Sequence, residues 1–270
     1  MQLANLRNDP AFGGLIAEIL KLTEGKQVIY TPNVGNWGDG LIHRGNTQFL
    51  RTNRIPHVTL TRGKVDKIRE SLAGTEIRLP GTVLLAGGGG SWCEQWHGCR
   101  DFVARNAFLF DHVVVLPSTF ELGPLPSDTN ITYFRRDNFH SLESIPGSLF
   151  CHDAAFYLDV PSSGNDAVIE EGYFFREDRE RNELAVAPPN NLDISLLGTD
   201  GKKISPFFQI LSSYKSIHTD RMHVAIAGSM LGRDVTLYPG SYFKSIDVYR
   251  SSIEPNFKNI TLAEWTGVPA

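Results

Sequence analysis

The sequence predicts an α/β protein built on parallel sheets. Three observations carry that expectation. Short runs such as "TVLLAGG" (82–88) and "HVVVLPS" (112–118) are apolar throughout, as strands buried on both faces must be. They alternate with stretches whose apolar residues recur at helical spacing. Glycines and charges gather just after the strands, at the end where open α/β sheets bind ligands.

In order, "QVIYTP" (27–32) is rich in β-branched and aromatic residues and predicts the first strand. In "GDGLIHRGNTQFLRTN" (38–53), Leu41, Ile42, Phe49 and Leu50 are separated by polar residues, the pattern of an amphipathic helix. "HVTLTR" (57–62) predicts a second strand, 82–88 a third, 92–109 a helical stretch and 112–118 a further strand. "ITYFRR" (131–136) and "LFCHDAAFYL" (149–158) continue the alternation. From about 160 the texture changes: "VPSSGNDAVIEEG" is polar and carries glycine and serine, as a linker does. Beyond it "YFFRED" (173–178), "IHT" (217–219) and "DVTLYP" (234–239) predict strands. "FFQILSSYKS", a dozen residues ending near Gly232, and "SYFKSIDVYRSS" predict helices. The chain thus divides into an N-terminal α/β domain over 1–160 and a C-terminal one over 161–270.

The 270 residues suffice for one large domain or two small ones, and their composition is that of a globular protein. A net charge of −4 disfavours a general nucleic-acid role. The N-terminus lacks the basic flank and apolar core of a secretory signal. No stretch approaches the roughly 18 apolar residues that span a bilayer. The expectation is a cytoplasmic protein, with at most peripheral membrane association. Cys93, Cys99 and Cys151 form no disulfide framework. "CEQWHGC" sets His97 between two cysteines but offers no fourth ligand, so no metal site is expected; the plainer reading is a helix with small, half-buried thiols.

The motifs follow strands. "TPNVGNWGDG" (31–40) places Gly35 and Gly38 for tight turns and Asp39 as a helix N-cap, with or without a ligand. It matches neither a dinucleotide-binding G-x-G-x-x-G nor a phosphate-binding loop. "AGGGGSW" (86–92) sets four glycines at a buried strand end: either their N–H groups cradle an anion or sugar, which is favoured, or two backbones pack closely. In "FRRDNFHSLE" (134–143) Arg135 and Arg136 alternate faces, and Asp137 is placed to orient a guanidinium. Arg176 heads the charge run "FREDRER". His152 and Asp153 adjoin, as an acid-oriented imidazole or as local capping. The run "IHTDRMHVAIAG" (217–228) has Thr219 or Asp220 as cap and Arg221 in the first turn, where the helix dipole disfavours a cation. An anion bound there reconciles the two, with His223 on the rim as acid or base; the plain alternative is an Arg221–Asp220 surface pair.

Taken in order, "GNWGD", "GGGG", "LPS" (116–118), "RRD" (135–137), "HDAAF" (152–156), "FRED" (175–178), "TDRMH" (219–223) and "YFK" (242–244) resemble the polysaccharide pyruvyltransferase family, over roughly 27–250. The resemblance implies two Rossmann-like α/β domains in a glycosyltransferase-B-like fold, with a cleft between them. It implies transfer of pyruvate from phosphoenolpyruvate to two hydroxyls of a sugar in a polysaccharide or glycan precursor, as a cyclic ketal, with release of phosphate and no metal or organic cofactor. The acceptor is then a sugar or lipid-linked oligosaccharide. On this expectation His223, Arg221 and Asp39 are catalytic. Arg136, Arg221, Gly88, Gly89, Gly90 and Ser118 bind the donor, whose carboxylate and phosphate need cations. Asn36, Trp37, Trp92, Arg176 and Lys244 bind the acceptor. A nucleotide-sugar glycosyltransferase and a non-catalytic glycan-binding protein remain alternatives of the same fold.

Overall fold

The computed structural model describes residues 6–73, 78–126, 130–160 and 167–265. The chain forms two compact units. One comprises residues 8–33 and 46–154. The other comprises 1–7, 34–45 and 155–270. The sequence divides the chain at 160/161; the contacts divide it at 154/155 and assign 34–45 to the C-terminal unit. The linker expected from 160 falls in part on 161–166, outside the described residues.

The first unit carries a seven-stranded, all-parallel sheet: β1 (Gln27–Thr31), β2 (Val58–Thr59), β3 (Leu79–Ala86), β4 (Gly89–Trp92), β5 (Phe110–Phe120), β6 (Ile131–Arg135) and β7 (Leu149–Phe150). The order is β2-β1-β3-β5-β6-β7, with β4 pairing β5. The chain therefore leaves β1 towards β2 and resumes on its other side at β3, so the switch of direction lies between β1 and β3. The uniform apolarity of the central strands has its counterpart in burial: Val83 to Ala86 and Val113 to Val115 are wholly inaccessible. Helix α1 (Pro10–Thr23) starts where Asp9 accepts a bond from the Ala11 amide at 2.9 Å, and it buries Phe12, Leu15 and Ile19. Helix α2 (Trp37–Thr52) matches the amphipathic stretch expected over 38–53. Its start lies in the second unit and its end in the first.

Several expected boundaries are corrected. "HVTLTR" is strand only at Val58–Thr59, because the Thr61 hydroxyl caps helix α3 (Arg62–Ser71). The helix expected from 92 begins only at α4 (Gly98–Asn106). Cys93 lies in an irregular turn, and Cys93 and Cys99 are wholly rather than half buried. "LFCHDAAFYL" is strand at its first two residues only and becomes a helical turn at Ala154–Tyr157.

The second unit has four parallel strands in the order β11-β10-β9-β8: β8 (Ile169–Phe174), β9 (Tyr214–Thr219), β10 (Asp234–Leu237) and β11 (Ile260–Leu262). After the five-residue α5 (His140–Ser144) of the first unit, this unit adds α6 (Ser205–Ser212), α7 (Met222–Met230) and α8 (Lys244–Val248). Every residue of α7 except His223 and Met230 is buried. Its small residues permit that: a Cβ at Gly228 would lie 2.9 Å from Val235 Cγ2 and 3.1 Å from Ile217 Cδ1. Among the described residues no helix is long and apolar enough to cross a membrane.

Candidate functional site

The expected site residues divide between the units. Asn36, Trp37, Asp39, Arg176, Arg221, His223 and Lys244 belong to the second; Gly88, Gly89, Gly90, Trp92, Ser118 and Arg136 belong to the first.

In the second unit the "GNWGD" turn meets the start of α7. A Cβ on Gly38 would fall 2.7 Å from Nδ1 of His223 and 3.0 Å from Oδ1 of Asn36. Only glycine lets the imidazole lie on that backbone. The turn is a reciprocal cap. The Asn36 side chain accepts from the Gly38 amide at 2.8 Å, and Asp39 accepts from the Asn36 amide at 3.2 Å. The capping residue is thus Asn36 rather than Asp39, and Asp39 answers from the third helical position. Asp200 joins this turn by accepting from the Gly35 amide at 3.1 Å. His43 lies one helical turn after Asp39. Burial, then the neighbouring Arg44, holds its pKa below the usual histidine value, opposed by Asp200. His43 and Asp200 are not among the residues expected from the sequence, although the i,i+4 spacing of Asp39 and His43 is a usable signal.

Trp37 and Trp92, expected among the acceptor-binding residues, are both packed inside their units. Trp37 is buried edge-on against Phe207, with rings 5.5 Å apart, and donates to the Lys203 carbonyl at 3.0 Å. Trp92 is wholly buried against Phe120 and Tyr133. Both indoles are core.

The arginines are corrected as well. Arg221 is the capping residue of α7, not a first-turn residue, and its amide donates to Thr219 Oγ1 at 2.9 Å. Only 3% of it is exposed. Its guanidinium grips Asp193 through Nε and Nη2 and meets Asp178 through Nη1 at 2.9 Å. Burial alone would weaken its hold on its proton; Asp193, Asp178 and Asp220 reverse that and raise its pKa. Asp178 also faces Arg176 Nε at 3.1 Å, and Glu180 holds both Arg176 and Lys244, the latter at 2.7 Å. Burial pushes Glu180 up, but the charges of Lys244 and Arg176 outweigh it and bring its pKa to about 2. Three cations expected to face substrate are therefore matched by internal carboxylates. The acids come from an irregular segment, 177–193, whose charge pattern carries no periodic signal of its partners. One Asp220 oxygen accepts from the Arg176 amide at 2.8 Å, and the other is buried with no partner among the described residues. Burial raises its pKa to about 6 against the pull of Arg176 and Arg221.

In the first unit Arg136 is 1% exposed and pairs with Asp153 at 2.5 Å and Thr119 Oγ1 at 2.8 Å. Asp137, expected to orient it, instead accepts from the amides of Phe139 and Ser141 and from the Ser141 hydroxyl. His152 faces Asp9 at 3.4 Å rather than Asp153. Ser118 is buried and donates to the Leu116 carbonyl at 2.7 Å. Gly87, Gly88 and Gly89 all adopt positive φ, which only glycine does freely. Gly87 packs against Asn33 and Cys99, Gly89 and Gly90 open β4, and the Gly88 carbonyl accepts from Asn33. His97 turns outward to Asp101 at 2.6 Å.

No protein-family model matches the chain, and neither does any curated protein. The chain is similar to the crystal structure of a functionally uncharacterized protein from Klebsiella pneumoniae subsp. pneumoniae. The two share 26% identity over 94% of this chain and 98% of that one, with a TM-score of 0.75.

Proposed function

We propose that the chain is a cytoplasmic pyruvyltransferase of glycosyltransferase-B-like design, moving pyruvate from phosphoenolpyruvate to two hydroxyls of a sugar in a glycan precursor. The observation that carries the proposal is the seating of the His223 imidazole on Gly38. It unites the two motifs most specific to the resemblance, and His223 alone in the first turn of α7 escapes burial. The reaction needs a proton delivered to the enol methylene, attack of one hydroxyl on the adjacent carbon, loss of phosphate and attack of the second hydroxyl. Of the two hydroxyl protons, one ends on the new methyl group and the other leaves with phosphate. An imidazole, which can both give and take a proton, serves that exchange in both directions. Arg221, bonded to Asp193 within the same unit, supports the start of α7 as a positioning residue.

Incubation with phosphoenolpyruvate and candidate glycans is expected to release phosphate and to add one pyruvate ketal to the acceptor's mass. His223→Ala should lower turnover by about 10²-fold or more while phosphoenolpyruvate still binds. Release of a nucleoside diphosphate from a sugar nucleotide would instead identify a glycosyltransferase. The neutralisation of Arg221 and Arg136 by carboxylates favours one second reading, a glycan-binding protein without turnover, marked by acceptor binding that His223→Ala leaves unchanged.

A further inference from the structure

Arg62 differs from the other inward-facing arginines described above. It opens α3, is half-buried, and its guanidinium donates to the Asn33 side chain, contacts the Cys99 thiol and lies 5.7 Å over the Phe102 ring. Among the described residues no carboxylate pairs with it. The acid nearest in sequence on the adjoining helix, Asp101, is bonded to His97. A half-buried guanidinium without a counter-charge is costly unless something anionic joins it.

Its surroundings compound the positive potential. A Cβ on Gly98, the first residue of α4, would lie 2.9 Å from Nη1, so the cation sits at the positive end of that helix. His97 makes no side-chain cap there, and the first-turn Cys99 amide donates to Ser91 Oγ at 2.9 Å, so the helix contributes its dipole rather than that N–H group. Asn33 follows β1, Gly87 to Gly89 follow β3, and those two strands flank the switch point of the sheet. Asn33 ties the groups together by donating to the Gly88 carbonyl. At the same end of β1 the Thr31 hydroxyl is wholly buried and has no partner among the described residues.

We propose that Arg62, with Asn33 and the Gly87–Gly89 turn, forms a subsite for a phosphate group at the carboxyl ends of β1 and β3. The guanidinium supplies paired N–H donors and the charge, and the start of α4 adds its dipole. The ligand is a phosphate monoester or diester, carried either by phosphoenolpyruvate or by a phosphorylated acceptor. The choice between those two carriers rests on the transferase proposal, but the subsite itself does not.

The test is calorimetry of the full chain with inorganic phosphate and no acceptor, so that turnover plays no part. Saturable binding is expected, weakened about tenfold or more in Arg62→Gln, which keeps a bond to Asn33 but loses the charge. Gly98→Ala retains every charge and crowds only the flexible end of Arg62; it should weaken phosphate several-fold with the melting temperature unchanged. Arg51→Gln, at an exposed position, should bind as the wild type does. Phosphoenolpyruvate and glucose 1-phosphate are then compared, and whichever loses affinity in Arg62→Gln names the carrier. Phosphate affinity equal in wild type and Arg62→Gln, or no saturable binding in wild type, overturns the proposal. A lowered melting temperature in Arg62→Gln with phosphate affinity intact shows a structural arginine and overturns it too.

Discussion

With one carboxylate oxygen on the Arg176 amide and the other buried alone, Asp220 resists ionisation until about pH 6. An unfolded aspartate ionises near 3.9. Between those values the folded state binds more protons than the unfolded one, so stability falls as pH rises from about 4 to 6 and is level above. The loss is on the order of 2–3 kcal/mol for this buried group. Asp220→Asn should remove that slope and raise the melting temperature at pH 7, read from melts between pH 4 and 8; an unchanged slope refutes the assignment. Glu180 acts in the opposite sense. Its pKa is held at about 2, so the stability it contributes is complete above its unfolded pKa of about 4.3 and lost as pH falls towards 2. Arg221→Ala strands the Asp193 carboxylate in a buried site, at a cost of about 3–5 kcal/mol. Its main effect should therefore appear in denaturant midpoint rather than in donor affinity.

At the scale of elements, α7 is the support of the candidate site. It lies close on β9 and β10 because Gly228 leaves no side chain between them. Gly228→Ala should overpack that contact and destabilise by about 1–3 kcal/mol, measured by urea denaturation. Gly38→Ala acts on another face of the same arrangement. Its methyl group would meet the His223 ring. Turnover should fall while the unfolding midpoint shifts little, since the methyl group would press on side chains rather than backbone and His223 is only half-buried. A large stability loss without a turnover effect would make this contact structural instead.

At the scale of the molecule, neither unit is one continuous piece of chain. Residues 34–45 belong with 155–270. Trp37 brings to that unit a buried indole packed on Phe207 and bonded to Lys203, and Gly198 lies against its ring. A fragment of residues 161–270 lacks this indole. It should show no cooperative unfolding by circular dichroism, whereas the full chain does. A sharp transition in the fragment would show that the sequence boundary at 160 marks a domain able to fold alone.

Periodicity and composition by themselves determined the parallel α/β class, the helix of residues 37–52 and the glycine-rich strand ends, because local spacing and burial on both faces leave a direct mark on residue type. The helix Pro10–Thr23 is equally legible in its Asp-Pro start and in the spacing of Phe12, Leu15 and Ile19. The joining of "GNWGD" to "DRMH" was foreshadowed only by their resemblance. Their contact, and the choice of Asp153 over Asp137 for Arg136, of Asp193 and Asp178 for Arg221, and, among the described residues, of no acid for Arg62, were decided by the tertiary structure alone. Ion pairing depends on which side chains converge after the chain has crossed between strands. Residues 28 apart, such as Arg221 and Asp193, carry no periodic trace of each other.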